Sequence, residues 1–268
     1  MAENFRSLPK IARRLKLTPL VAGKVKNWPS FMYNYALGLT PRDGYFFRNG
    51  ARIKIGRGVD HVPIIEIFLR SDYGTLPNDA VIVDLGANIG VFAIYAATTA
   101  RNARIYAYEP LPEFYELMRE NVRLNQRTDT VECFNSAVGG ETAARDIYVA
   151  GTDFFFPTFV APSEGDETAT RVQVRCTTLA EILDANQLEQ VDLLKMDIEG
   201  AEYEVFCGTP SPYFERIKEI RMEYHNLDSK ERNVTRLKEF LKKHGYRITH
   251  EQTNTPTNGN LWARRENS

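Results

Sequence analysis

Short apolar segments alternate with helical segments from residue 80 onwards, and polar or glycine-bearing turns separate them. Val81-Ile82-Val83 is the first predicted strand, residues 91–100 follow as a helix, and Ile105 to Tyr108 form the second strand. Parallel strands need such crossovers, because the chain must return to the same edge before the next strand begins. The alternation therefore predicts an α/β fold with a mostly parallel sheet that is covered by helices on both faces.

The same pattern continues towards the C-terminus. Further strands are predicted at 130–135, 145–149, 171–176, 191–196 and 217–223, and helices at 178–185, 201–207 and 229–243, with another helix beginning at Pro112. Sheets of this kind bind ligands beyond the carboxyl ends of their strands. Polar residues that follow these strands are therefore the candidates for a functional site.

Residues 1–79 lack this alternation and are predicted to form a small extension ahead of a core domain of residues 80–268. Pro19 is expected to divide the segment 9–26 into two short helical pieces. Asn49-Gly50 predicts a hairpin with a tight type I′ turn, since that turn needs positive φ angles. A cap helix is predicted at residues 61–69, with Pro63 in its first turn.

The beginning of the chain is basic, although the net charge of the whole chain is −1. Residues 1–28 carry seven Lys or Arg against one Glu. Such a segment is typical of a surface that contacts anionic lipid or an acidic substrate, or of an extension that packs on its own domain. The short, interrupted pattern favours packing, and peripheral membrane contact remains the alternative.

The cysteine pattern bears on the compartment. Cys133, Cys176 and Cys207 are widely spaced and form no CxxC pair, which favours reduced thiols and a cytoplasmic location over a disulfide framework. No apolar run approaches the roughly 20 residues that a membrane-spanning helix needs. The N-terminus also lacks the apolar region of a secretory signal.

Gly86 and Gly90 flank the turn between the first strand and its helix, with Asn88 between them. Glycine lets the backbone approach a ligand, and the helix N-terminus presents free N–H groups to an anion. The spacing is G-x-x-x-G, whereas dinucleotide folds use G-x-G-x-x-G. Pyrophosphate has less room beside Asn88, so this turn favours a carboxylate and disfavours a dehydrogenase.

Glu109 ends the second strand, immediately before Pro110. An acidic residue at this point of the fold can accept hydrogen bonds from both hydroxyls of a ribose. The alternative is an acid at the N-terminus of the following helix, which the helix dipole favours. The strand, the turn and their spacing together favour ribose binding.

These stretches resemble the FkbM family of S-adenosylmethionine-dependent methyltransferases. The resemblance rests on the blocks DLGANIG at 84–90 and KMDIEGAE at 195–202, and it covers roughly residues 60–265. It implies the class I methyltransferase fold, which is a Rossmann-like three-layer sandwich with a seven-stranded sheet whose last strand is antiparallel.

The resemblance also implies how S-adenosylmethionine would be bound. Asp84, Gly86, Asn88 and Gly90 would line the methionine part, Glu109 would hold the ribose, and Ser136-Ala137 would border the adenine. Asp197 would lie beside the transferable methyl group.

Asp197 and Glu199 follow the strand at 191–196 and are two residues apart. Three interpretations remain open. They can accept hydrogen bonds from a substrate hydroxyl, bind a divalent cation together with Glu223 or His225, or cap the helix near Ala201. The metal is not favoured, since the sequence supplies no further ligand at a suitable spacing.

Glu223 and His225 end the strand at 217–223. A histidine at a strand end opposite Asp197 can act as a general base towards a hydroxyl, or it can merely hydrogen-bond the backbone. Lys195, inside a buried strand, is expected to form a structural ion pair with Asp84 or Glu223. The other histidines, among them His61, are expected at the surface.

Residues 150–170 are rich in aromatic residues, followed by small and acidic ones. This composition is typical of a mobile loop over a site, or of an apolar plug beneath a surface loop.

The favoured function is O-methylation of a hydroxyl on a sugar, glycolipid or secondary metabolite, a substrate class that is implied by the resemblance. One alternative is a nucleic-acid methyltransferase that uses the basic first section, but an Asn-Pro-Pro-Tyr signature is missing. The other is a non-catalytic protein that retains the fold. The expected partner is therefore a small-molecule or glycan hydroxyl, and the sequence gives no indication of oligomeric state.

Overall fold

A computed structural model describes residues 10–149 and 170–266 of the chain. The helices are α1 (Lys10–Lys24), α2 (Trp28–Leu37), α3 (His61–Pro63), α4 (Val91–Thr99), α5 (Pro112–Leu124), α6 (Leu179–Ala185), α7 (Glu202–Gly208), α8 (Ser211–Phe214) and α9 (Val234–Lys243), with a 3₁₀ turn at Gly58–Asp60 and a π-helix at Ile64–Arg70. The strands are β1 (Tyr45–Phe46), β2 (Arg52–Ile53), β3 (Val81–Leu85), β4 (Arg104–Tyr108), β5 (Val131–Phe134), β6 (Ala137–Gly139), β7 (Ala143–Val149), β8 (Thr170–Thr178), β9 (Leu193–Met196), β10 (Glu219–His225), β11 (Tyr246–Thr253) and β12 (Asn258–Arg265).

The central sheet has seven strands in the order β11-β12-β10-β9-β3-β4-β5. The pairs among β10, β9, β3, β4 and β5 are parallel, whereas β12 runs antiparallel to both β10 and β11. This arrangement confirms the predicted α/β fold with an antiparallel last strand. From the central pair β3 and β9 the chain proceeds outwards in opposite directions, which opens a crevice at the carboxyl ends of these two strands.

Strand β3 is buried along its whole length, as expected for a parallel strand that is covered on both faces. Asp84 lies within this strand with no exposed side-chain surface, opposite Lys195 of β9 in the strand register. The Lys195 Nζ lies 3.1 Å from the Asp84 Oδ1. The predicted structural ion pair is thus confirmed.

A second sheet carries two of the predicted strands away from the central one. β7 and β8 pair antiparallel with each other, and β6 pairs parallel with β8. The alternation of strands and helices does not reveal this arrangement, because no helix was predicted between residues 149 and 171. Residues 150–169 lie outside the described residues, and they make up most of the segment 150–170 that was predicted as a loop or plug.

The first helix was predicted wrongly, since α1 continues through Pro19 as one helix. Leu17 and Val21, on either side of this proline, are buried in the same apolar cluster as residues of α4. Their packing compensates for the backbone hydrogen bond that proline cannot make. Lys24 then donates two hydrogen bonds of 2.9 Å to the carbonyl oxygens of Phe68 and Leu69, so its charge faces the protein.

The predicted hairpin is confirmed, but its turn type is wrong. The Phe47 N–H donates to the Ala51 carbonyl, and the Gly50 N–H donates to the Phe47 carbonyl. Gly50 has φ of 95°, whereas Asn49 is not among the residues with positive φ. The loop is therefore a three-residue connection with glycine in the left-handed position, and the two-residue type I′ turn does not form.

The cap helix exists, but most of it is a π-helix that follows the short α3. His61, predicted at the surface, is fully buried beside Tyr45, whose hydroxyl lies 2.6 Å from the His61 Nε2. Burial lowers the pKa of His61, so the ring is neutral and Nε2 accepts from the tyrosine. None of the helices in the described ranges is both long enough and apolar enough to span a membrane.

Candidate active site

A cavity of about 270 Å³ lies beyond the carboxyl ends of the central strands. Its wall is formed by the turn after β3, the end of β4, the segment after β9 and the end of β10. The π-helix closes another side with Glu66 and Ile67. The cavity therefore joins the glycine turn and the carboxylates that the sequence placed at separate strand ends.

The turn after β3 lies very close to the backbone that follows β9, the neighbouring strand in the sheet. Gly86 has φ of +75°, and a Cβ added there would lie 1.8 Å from the carbonyl oxygen of Asp197. Asn88 also has positive φ, at 50°, and its Oδ1 accepts a 2.7 Å hydrogen bond from the Ile89 N–H. Asparagine tolerates this left-handed conformation better than other side chains, so it replaces the second glycine without loss of the tight turn.

Glu109 is held by this turn and by the start of α5. Its Oε2 accepts from the Asn88 N–H at 2.8 Å, and its Oε1 accepts from the Leu111 N–H at 3.0 Å. The side chain lines the cavity and only 4% of the residue is exposed. Burial raises the pKa of Glu109 to about 7, against the opposing effect of the two backbone donors. The bond to Leu111 shows that Glu109 serves the start of α5, whereas ribose binding stays a prediction.

Ser136 and Ala137 line the cavity directly after β5, on the side expected for adenine. The Ser136 hydroxyl donates to the carbonyl oxygens of Ala137 and Arg175, at 3.0 and 3.2 Å. Tyr108 adds an aromatic wall that the sequence analysis missed, and its ring stacks on Phe134 with centroids 4.4 Å apart. The neighbouring lining residues Ala137, Val138 and Ile147 are apolar, which would suit the face of an aromatic ring.

Two of the residues implied for cofactor binding do not line the cavity, namely Asp84 and Gly90. Lys195 stands at the wall in front of Asp84, and its Nζ also donates to the Gly86 carbonyl at 2.8 Å. Burial alone would lower the pKa of Lys195, but attraction to Asp84 and Asp197 raises it. Gly90 instead lies against Met118, where an added Cβ would come within 2.9 Å of the Met118 Cγ. Asp84 and Gly90 therefore support the turn from behind.

The opposite part of the cavity is lined by four carboxylates. Three were predicted, Asp197, Glu199 and Glu223, and the fourth, Glu66, comes from the π-helix. Burial, reinforced by repulsion from Asp197, raises the pKa of Glu66 to about 7 and that of Glu223 to about 8. Asn258 lines the same wall and donates a 2.6 Å hydrogen bond to the Glu223 Oε1. Such a surface accepts hydrogen bonds and repels anions.

His225 lies behind this wall and does not line the cavity. Its Nε2 is 3.1 Å from the Glu199 Oε2, and its Nδ1 is 3.1 Å from the Glu202 Oε1. Burial alone would lower the pKa of His225, but the hydrogen bonds to Glu199 and Glu202 raise it to about 11. A ring whose two nitrogens both donate has no lone pair for a substrate proton. The geometry therefore contradicts the role of general base that the sequence suggested for His225.

The sequence analysis missed Glu66, Asn258 and Glu202. No strand end precedes Glu66, and its position depends on how residues before β3 pack on the sheet. The cation site that was left open for Asp197 and Glu199 gains no support, since the described ranges 10–149 and 170–266 contain no group of three His, Cys, Asp or Glu side chains arranged for a metal ion. Helix capping by Glu199 gains none either, because α7 begins at Glu202 with no side-chain cap at Ala201.

Comparisons with known proteins identify relatives. A family model described as the methyltransferase FkbM domain matches residues 84–248. Methyltransferase sdnD from Sordaria araneosa is 28% identical over 184 residues, which is 57% of this chain and 69% of that protein. The 31-O-demethyl-FK506 methyltransferase FkbM from Streptomyces tacrolimicus is 25% identical over 211 residues, which is 69% of this chain and 79% of that protein.

A solved structure shares the fold. The methyltransferase FkbM from Methylobacillus flagellatus KT matches with a TM-score of 0.50 and 16% identity. The match covers 75% of this chain and 48% of that one.

Proposed function

This chain belongs to the FkbM family of S-adenosylmethionine-dependent methyltransferases, and from that premise we propose that it methylates a hydroxyl oxygen of a sugar, glycolipid or secondary metabolite. The observation that carries the proposal is the meeting, in one cavity, of the Gly86 turn and Glu109 with the carboxylates of Asp197, Glu199 and Glu223. A relative whose name describes O-methylation of a secondary metabolite supports the same acceptor class.

The residues around the Gly86 turn fit the cofactor. An ionised carboxylate offers about four lone-pair positions, and two of those on Glu109 accept backbone N–H groups, which leaves two for ribose hydroxyls. One oxygen of Asp197, Oδ1, is buried and lacks a hydrogen-bond partner within the described part of the chain, as expected beside a cationic ligand. When bound, S-adenosylmethionine supplies an electrophilic methyl group on a sulfonium centre.

Glu199 is the side chain best suited to accept the acceptor's proton. One of its oxygens is held by His225, and the other is available to a hydroxyl in the cavity. Glu199 would accept the proton that the hydroxyl loses when its oxygen takes the methyl group and the carbon–sulfur bond of the sulfonium breaks. Burial raises the pKa of Glu199 to about 7, which suits a base that works near neutral pH. Glu223 and Asn258 are placed to orient neighbouring hydroxyls of the acceptor.

Acidic side chains outnumber the cations Arg57 and Lys195 in the cavity lining, which disfavours a nucleic-acid acceptor because ionised carboxylates repel a phosphate backbone. The Lys24 ammonium group binds the carbonyl oxygens of the π-helix and is therefore not directed outwards to a phosphate. A small hydroxyl compound therefore remains the best supported acceptor.

The proposal is tested by following the label from S-adenosyl-[methyl-³H]methionine into a panel of neutral sugars, glycolipids and hydroxylated metabolites. We expect an alkali-stable product, since methyl ethers survive base whereas methyl esters release methanol. Glu199→Gln should lower kcat by about 10²–10⁴, the usual contribution of a general base. The exposed Glu189→Gln is the matched control and should retain wild-type kcat.

Label that is released entirely by alkali, or that resides on nitrogen, would contradict O-methylation. A Glu199→Gln variant with wild-type kcat would overturn the role of Glu199 alone.

A further inference from the structure

Glu202 is a buried acid that the reaction described above does not use. It is the first residue of α7, and no part of it is exposed. A carboxylate at the first turn of a helix is ordinarily stabilised by solvent and by the helix dipole. Full burial costs several kcal/mol unless a cation and hydrogen bonds compensate it, by the general cost of burying an ion. An ionised Glu202 therefore needs a cation and hydrogen-bond donors beside it.

That partner is His225. The Glu202 Oε1 accepts from the Gly200 N–H at 3.2 Å and lies 3.1 Å from the His225 Nδ1. The other oxygen, Oε2, is buried and has no hydrogen-bond partner among the described residues. A neutral imidazole donates from only one nitrogen, whereas both nitrogens of His225 face carboxylate oxygens. With both carboxylates ionised, the arrangement is satisfied by the doubly protonated ring.

The surroundings hold this ring in place and add further negative charge. The Tyr203 hydroxyl, next to Glu202 on α7, donates to the His225 carbonyl at 2.7 Å. His225 pairs with Asn258 across β10 and β12, which fixes its backbone. Glu223, on the same strand, also interacts electrostatically with His225, and Asp197 interacts with Glu199.

We propose that Glu202 is a positioning residue, which keeps His225 as a doubly protonated bridge and so holds the Glu199 carboxylate towards the acceptor hydroxyl. The inference rests on the proposed role of Glu199 as proton acceptor. In this arrangement one Glu199 oxygen stays bound to the Nε2–H of His225, and the other receives the proton. Glu202 touches neither substrate nor cofactor, and it acts through the ring.

The test uses the full chain, labelled with ¹⁵N-histidine and saturated with S-adenosylhomocysteine, in an NMR titration from about pH 5 to pH 10. His225→Gln identifies the His225 signals by their loss. In the wild type we expect both ring nitrogens to stay protonated through about pH 9, because two carboxylates flank the ring. In Glu202→Gln, which keeps the shape but removes one charge, the titration midpoint should fall by at least about one pH unit.

Glu204→Gln is the matched control, since Glu204 lies on the same helix but pairs with Arg145. Its His225 titration should equal that of the wild type. The kinetic readout is the pH profile of kcat with an acceptor from the labelling panel. In Glu202→Gln the alkaline limb should move to lower pH at unchanged KM, whereas a merely structural role would lower kcat equally at every pH.

A wild-type His225 that titrates near pH 6.5 would overturn the inference, and this measurement stands even if Glu202→Gln does not fold. An unchanged midpoint in a folded Glu202→Gln would also overturn it. Failure of the proposed function looks different, because no alkali-stable methyl product would then form from the labelling panel, whereas the His225 titration does not depend on turnover.

Discussion

At the residue scale, the acidic side chains that line the cavity reach it in two ways. Glu109 and Asp197 each follow a strand, and Glu223 lies near the end of β10; parallel strands end at the same edge, so their convergence follows from the pattern. Glu66 sits inside a helical stretch and enters the cavity only through tertiary packing. The charge of the His225 ring could not be predicted either, because it depends on Glu202, which lies on α7, six residues after the end of β9.

Glu109→Ala is expected to weaken binding of S-adenosylhomocysteine at least tenfold. Two hydrogen bonds to a charged carboxylate contribute about 1.5–3 kcal/mol each, and tenfold corresponds to about 1.4 kcal/mol. Isothermal titration calorimetry measures the change. Glu113→Ala, an exposed acid in the first turn of α5, is the control and should bind as the wild type does. Affinity within threefold of the wild type in Glu109→Ala would remove Glu109 from the ribose site.

At the scale of elements, type and order were predicted better than local geometry. The hairpin and the cap helix both exist, but their exact form depends on contacts that lie far away in sequence. Pro19 illustrates the reason, since the local cost of proline in a helix is overcome by the buried neighbours Leu17 and Val21. The antiparallel strands β11 and β12 were missed for a similar reason, because β11 is mostly exposed and has no apolar run.

The turn after β3 gives a prediction for an element. Gly86→Ala and Gly245→Ala both place a side chain at positive φ, +75° and +81°. That conformation costs about 1–2 kcal/mol for an L-residue. Gly245 faces open space, whereas Gly86 faces the Asp197 carbonyl, so Gly86→Ala should lose about 1–3 kcal/mol more, as overpacked sites do. Urea unfolding measures the difference, and only Gly86→Ala should lose S-adenosylhomocysteine binding.

Equal destabilisation by the two alanines, with binding intact in both, would show that the turn relaxes and that the close approach to Asp197 is not required.

At the scale of the whole molecule, the cavity brings together acidic side chains whose pKa is higher in the folded protein than in the unfolded chain. Burial is the main cause that raises the pKa of Glu66, Glu109 and Glu199 to about 7 and that of Glu223 to about 8, from an ordinary value of 4.5. The folded chain therefore binds more protons than the unfolded chain between about pH 4.5 and pH 8. Its stability should fall as pH rises through that window. The elevated pKa of His225 acts in the same direction above pH 6.5.

Glu223→Gln should flatten this dependence in the cofactor-free protein. The glutamine oxygen can still accept from Asn258, but the charge is gone, so Tm should rise at pH 8 and change little at pH 5. A gain of about 1 kcal/mol corresponds to about 2–4 °C for a domain of this size. Scanning calorimetry at both pH values measures it, with the exposed Glu189→Gln as control. A Tm that rises equally at both pH values would contradict the electrostatic explanation.

The hydrogen bonds from Lys24 to the end of the π-helix affect what a truncated form of this chain would retain. The family match begins at residue 84, whereas Glu66 lies on the π-helix, which precedes residue 84. Lys24 of α1 holds that π-helix through its hydrogen bonds. A fragment limited to the matched range would keep the turn after β3, but it would lose the side of the cavity that Glu66 and Ile67 form. It would also bare the apolar side chains of α4 that these earlier residues cover. We therefore expect acceptor choice to depend partly on residues that precede the matched range.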